Sequence, residues 1–163
     1  MLTYQQLDTF ADSYIPLLGT IVLGSVIMTI RAGDSYTRLN KHAATLVSVI
    51  LVYGLMLIDA QLQIWPRFGL DYSTHTALAT VLVISIARQV GDLVNSHSDR
   101  FTYWSWIIFL LLTLVGYFAL MIYQQYHGLA DIVSTFGLIV PLTLAIHKYF
   151  CLAPICKAFK ISS

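Results

Sequence analysis

Along the chain, five apolar stretches alternate with short polar segments, over residues 14–30, 43–58, 75–94, 101–123 and 128–150. A bilayer core is crossed by about 20 mostly apolar residues of helix. In lipid, a helix also satisfies its own backbone polar groups. The pattern therefore predicts an all-α, polytopic membrane helix bundle. It has about five transmembrane helices in a single transmembrane domain, residues 1–163. Arg31 ends the first span, Asp59 closes the second, and Ser73 or Thr74 caps the third. Arg88 and Asp92, on the last turns of the third, are expected to pair or snorkel. Tyr103, Trp104 and Trp106 form an aromatic anchor opening the fourth, and Pro141 predicts a kink in the fifth.

Residues 2–13 are too polar to extend the first span. Leu7, Phe10, Ala11 and Tyr14 fall at i, i+3, i+4 and i+7, which predicts a short N-terminal helix lying in the interface. This stretch holds Asp8 and Asp12 but no Lys or Arg, the reverse of the cationic start of a signal peptide.

Composition agrees with a membrane location. Hydrophobic residues make up 58% and charged residues 10%, and mean hydropathy is +0.75. That excludes a soluble domain, and no nucleic-acid partner is expected. Five spans place the start of the chain, the 61–73 loop and the 124–127 turn on one face, called A. The 31–42 loop, the 95–100 loop and the end of the chain share face B. Arg31, Arg38, Lys41, Arg88, Arg100, Lys148, Lys157 and Lys160 lie on or near face B, and Arg67 alone on face A. By the positive-inside rule face B is cytoplasmic. The expected location is the plasma (inner) membrane, with the start of the chain outside. Cys151 and Cys156 then face the cytoplasm and define no disulfide framework.

Candidate chemistry gathers on face A. His127 and Asp131 stand four residues apart in His127-Gly128-Leu129-Ala130-Asp131, one helical turn apart on one face. A carboxylate so placed can hold one imidazole nitrogen and leave the other free to react. His75 opens the third span on the same face. Around it, Ser73, Thr74 and Thr76 supply hydroxyls at a helix start, a favourable place for an anion. Arg67 is the nearby cation. These groups suit phosphoryl chemistry. His127 acts as nucleophile or base, His75 as general acid, and Arg67 with the helix start holds the phosphate.

Ser73-Thr74-His75-Thr76 resembles the Ser-Gly-His-Thr motif of the type 2 phosphatidic acid phosphatase superfamily. His127 to Asp131 resembles its terminal His-x-x-x-Asp. The likeness covers roughly residues 67–140. It implies a phosphohistidine at His127, orientation by Asp131 and protonation of the leaving group by His75. The chain departs from the family pattern at several points. Tyr72 and Thr74 replace a Pro and a Gly. The Lys…Arg-Pro motif is reduced to Pro66-Arg67. The Ser-Arg ahead of the last motif would fall at Leu120-Met121.

The expected activity is removal of phosphate from a lipid phosphate or diphosphate, a phosphorylated amphiphile, at the extracytoplasmic leaflet. No metal and no cofactor are expected. Three alternatives remain open. One is a phospho-headgroup transferase, as in the sphingomyelin-synthase-like branch, which shares Asp-Tyr ahead of its Ser-Gly-His-Thr with Asp71-Tyr72. Another is a degenerate, non-catalytic lipid-binding or scaffold protein. The last is a b-type haem held between His75 and His127. Partnership with membrane lipid is expected, and a homo-oligomer or a membrane partner also stays open.

Overall fold

A computed structural model describes residues 4–32, 36–93 and 100–152. Five α-helices follow one another: α1 Tyr4–Arg31, α2 Tyr36–Leu62, α3 Thr74–Leu93, α4 Arg100–Tyr123 and α5 Leu129–Leu152. A short 3-10 turn, Pro66–Phe68, lies between α2 and α3. No strand occurs among the described residues.

The separate interfacial helix expected over 2–13 is not formed. α1 runs unbroken from Tyr4 to Arg31, through Pro16. Its 28 residues reach about 42 Å at 1.5 Å per residue, more than a bilayer core of about 30 Å. The polar first turns therefore project beyond the apolar zone instead of turning along it. Tertiary bonds hold them there. The Asp8 carboxylate accepts hydrogen bonds from the Tyr126 hydroxyl and from Gln124 Nε2, beyond the end of α4. The loop expected over 31–42 is also shorter than read, since α2 starts at Tyr36 and carries Arg38, Lys41 and His42 on helix. α2 continues past Asp59 to Leu62. Gln63 and Gln125 then end α2 and α4 with positive φ of 50° and 61°, a role usually taken by Gly. The side chain of Asp92, expected to pair with Arg88, lies outside the described residues.

Helix α3 is the hub and packs against all four others. Ala79, Leu82, Val83 and Ile86 fall at i, i+3, i+4 and i+7. They face Leu18 and Val22 of α1 and Leu110, Leu114, Tyr117 and Met121 of α4. Its other side sets Ala77 and Val81 against Val52 of α2 and Ile139 of α5. The small residues let neighbouring backbones approach closely, the usual device of helix contacts in lipid. Hydroxyls in this core bond back to the helix or across to a neighbour. Thr80 donates to the Thr76 carbonyl at 2.7 Å, and Thr45 lies 3.0 Å from Ser85.

The outer surface is inverted relative to a water-soluble protein. Leu112 is 66% exposed and Phe101 83%, and similar side chains line the outside of α1, α2 and α5. α1, α2, α4 and α5 are each long and apolar enough to cross a membrane. α3 is not among these four. At 20 residues it has the length of a span, about 30 Å. Enclosed by its neighbours, it needs no lipid-compatible surface.

Candidate active site

The starts of α3 and α5 meet on face A, and the contact is made by backbone and carboxylate. Asp131 Oδ1 accepts the Asp71 backbone N–H at 2.8 Å, and Oδ2 accepts the Gly128 N–H at 2.8 Å. One carboxylate thus caps the first turn of α5 and ties it to the segment leading into α3. A Cβ on Gly128 would lie 3.2 Å from Asp131 Oδ2, so glycine leaves room for that cap. Asp131→Ala is expected to cost about 1–2 kcal/mol of stability, read as a lowered Tm in detergent or nanodiscs. An unchanged Tm would remove the tie from this account.

These bonds correct one assignment. Asp131 is engaged by the backbone, and the carboxylate beside His127 is Asp71, whose Oδ2 lies 3.7 Å from His127 Nδ1. The reason is capping. At the third position of α5, Asp131 lies where orphan N–H groups compete for its oxygens. Asp71 precedes α3 in sequence, and only the packing of α3 on α5 brings it to His127. Its position four residues before His75, mirroring Asp131 after His127, was the available signal. The side chain of His127 is 12% exposed and that of Asp71 72% exposed.

Burial pushes the pKa of His127 below its ordinary value. Asp71 and then Asp131 pull it back up, and His75 adds to the lowering. The folded protein therefore holds His127 neutral further into acid than the unfolded chain does. The associated stability is present above the unfolded pKa near 6.5 and is lost as pH falls through it. Unfolding measured from pH 8 to pH 5 is expected to show stability falling toward the acid end. His127→Gln is expected to flatten that slope, and an unaltered slope in this variant would assign it elsewhere.

The remaining site residues divide. His75 is exposed and lines a cleft of about 350 Å³ with Asp12, Tyr53 and Thr74, between α1, α2 and α3. His127 does not line that cleft, although His75 lies near enough for its charge to act on His127. Ser73 and Thr76 are fully buried. Ser73 Oγ accepts the Thr76 N–H at 3.2 Å and lies 2.8 Å from Thr76 Oγ1, and the Ser73 N–H donates to Thr135 Oγ1 at 3.2 Å. Ser73 is therefore the cap of α3, as expected. Its hydroxyl and that of Thr76 hold the helix start in place and are not open to a phosphate. Arg67 sits exposed on the 3-10 turn at this face.

The loop before α3 is anchored from below. Asp59 Oδ1 accepts the Trp65 N–H at 2.8 Å, and Trp65 Nε1 donates to Ser134 Oγ at 3.1 Å. The buried Tyr72 ring packs edge-on to Trp65, and its hydroxyl donates to the Val52 carbonyl at 3.2 Å. Burial, with the Asp59 charge second, pushes the Tyr72 pKa up to about 12, so it stays a neutral donor. Among the described residues no group of three or more His, Cys, Asp or Glu stands close enough to hold a metal ion.

Fold and surface together define the class: an all-α membrane helix bundle. No family model, curated protein or solved structure matches the chain.

Proposed function

We propose that the chain is a membrane phosphatase for a phosphorylated amphiphile, working at the face A mouth through His127 and His75. The observation that carries this reading is the stitch between α3 and α5. It sets His127 Nδ1 against Asp71 at 3.7 Å and leaves Nε2 as the reacting atom. Nε2 attacks phosphorus, and the bond from phosphorus to the leaving oxygen breaks. His75, as imidazolium, gives that oxygen its proton. Water, passing a proton to the His75 ring that the first step left neutral, then attacks phosphorus, the N–P bond breaks, and phosphate leaves with His127 restored. The Asp71 charge stabilises the cationic ring of the intermediate. Arg67 is the cation available to the phosphate. The resemblance of residues 67–140 to the type 2 phosphatidic acid phosphatase superfamily supports the same roles, with Asp71 in the orienting position instead of Asp131. By the eight-to-one distribution of Lys and Arg, the mouth opens outside an inner membrane and face B is cytoplasmic.

One observation favours a second reading. Ser73 and Thr76 spend their hydroxyls on the cap of α3, and Asp131 spends its carboxylate tying the start of α5 to the segment before α3. A non-catalytic bundle would use them the same way. A phosphate-release screen on purified protein separates the readings, using phosphatidic acid, an isoprenoid diphosphate and phosphatidylglycerol phosphate. Release from one of them supports the phosphatase. No release from any, together with no vanadate binding, supports the non-catalytic bundle. Transfer to an added lipid alcohol instead of water would make it a headgroup transferase.

A further inference from the structure

In the phosphatase chemistry His127 and His75 act on phosphorus, and the cleft of about 350 Å³ beside His75 is not used. Its lining is graded. Asp12 of α1 and Thr74 and His75 of α3 are polar, and Tyr53 of α2 adds a phenol. Ile15 and Leu78 complete the wall. They stand three residues further along their helices than Asp12 and His75, about 4.5 Å deeper in the bundle. The cleft is polar near face A and apolar below, which suits an alcohol carried on a hydrocarbon chain. Among the described residues, the side chains of Asp12, Tyr53 and His75 have no hydrogen-bond or ion-pair partner in the protein. They differ in this from Ser73 and Thr76, whose hydroxyls cap α3.

Displacement at phosphorus proceeds with the attacking and leaving atoms roughly in line. With His127 Nε2 on one side of phosphorus, the leaving oxygen lies on the other. The group that protonates this oxygen stands within hydrogen-bond reach of it. His75 has that role, and His75 borders the cleft while His127 does not. The leaving group therefore extends from His75 into the cleft. Charge then decides what can leave. Among the described residues lining the cleft there is no Lys or Arg, and Asp12 contributes a carboxylate. Residues 1–4 carry no charged side chain. Arg67 stands on the 3-10 turn, off the cleft, where it serves the phosphoryl group being transferred.

We propose that this cleft receives the leaving group, and that Asp12 selects phosphate monoesters of a lipid alcohol over lipid diphosphates. The inference rests on the phosphatase reading and narrows its substrate class. In a monoester the P–O bond breaks, the electron pair stays on oxygen, the His75 proton joins it, and a neutral alcohol occupies the cleft. In a diphosphate the same step expels a second phosphate. Its negative charge would then meet the Asp12 carboxylate with no cation beside it, a like-charge juxtaposition that disfavours this partner. Asp12 is exposed, so solvent screening holds the discrimination to about tenfold.

The test is phosphate release by the purified protein in neutral detergent from farnesyl phosphate and farnesyl diphosphate, which share one chain. From initial rates, wild-type kcat/KM is expected to be about tenfold higher for the monophosphate. Asp12→Asn is expected to raise kcat/KM for the diphosphate about tenfold. A gain in rate does not come from a damaged fold. Should the asparagine variant fail to fold, Asp12→Ala serves, since it also removes the charge. A wild-type rate on the diphosphate equal to or above that on the monophosphate would overturn the inference and leave the phosphatase standing. So would an unaltered ratio in the Asp12 variants. No release from either substrate would remove the phosphatase reading and this inference together.

Discussion

His127→Ala is expected to lower phosphate release by about 10⁴-fold or more, while the purified protein keeps its helical content. The argument is geometric. His127 lies in the turn between α4 and α5 and not on a helix, so truncating its largely buried side chain disturbs the turn and leaves the helix–helix seams in place. The variant therefore loses chemistry and keeps the fold. Its neighbours should grade in a set order. Asp71→Asn keeps the shape but removes the charge 3.7 Å from Nδ1. A loss of about 10²-fold is expected, in kcat more than in KM, because the charge acts on the cationic intermediate. Asp131→Asn keeps one acceptor oxygen. It should reduce stability first and activity only as the mouth loosens. The superfamily resemblance alone would rank Asp131 above Asp71, so this pair distinguishes resemblance from geometry. Wild-type turnover in His127→Ala would sink the phosphatase.

Ala79→Leu is expected to destabilise the bundle by about 1–3 kcal/mol, and no surface substitution should match it. Ala79 has no exposed area. It sits where α3 passes the apolar seam formed by α1 and α4. Leucine there adds three carbons with no space to receive them and forces off-rotamer packing. Leu112→Val on the outer face of α4, where Leu112 is 66% exposed, should change stability by less than about 0.5 kcal/mol. The two variants, compared by Tm in the same nanodisc, test whether α3 is the hub. Equal tolerance at both sites would mean that α3 is not enclosed by its neighbours.

The helical character of each span was legible because lipid-facing and core-facing residues are both apolar, so the period hardly mattered and the length decided. Helix ends were less legible. α2 and α4 stop at Gln63 and Gln125, where glutamine adopts a left-handed conformation that its composition does not advertise. Polarity and the spacing of Leu7, Phe10, Ala11 and Tyr14 make residues 2–13 read as a separate interfacial helix, because neither carries the tertiary bonds. Bonds from Tyr126 and Gln124 to Asp8 hold residues 4–13 in line with the rest of α1.

The order of residues is enough to read a helical membrane bundle, basic residues crowded toward one end, and His75 with His127 at the other. Those properties follow from local hydropathy and from strict alternation of direction, which need no knowledge of packing. Packing selects which helix is enclosed and which carboxylate meets His127. It also selects which hydroxyls are spent on caps. Each depends on groups distant in sequence competing for the same few hydrogen-bond acceptors. A helix start takes the nearest carboxylate, here Asp131, and leaves the imidazole to Asp71 from the segment before α3.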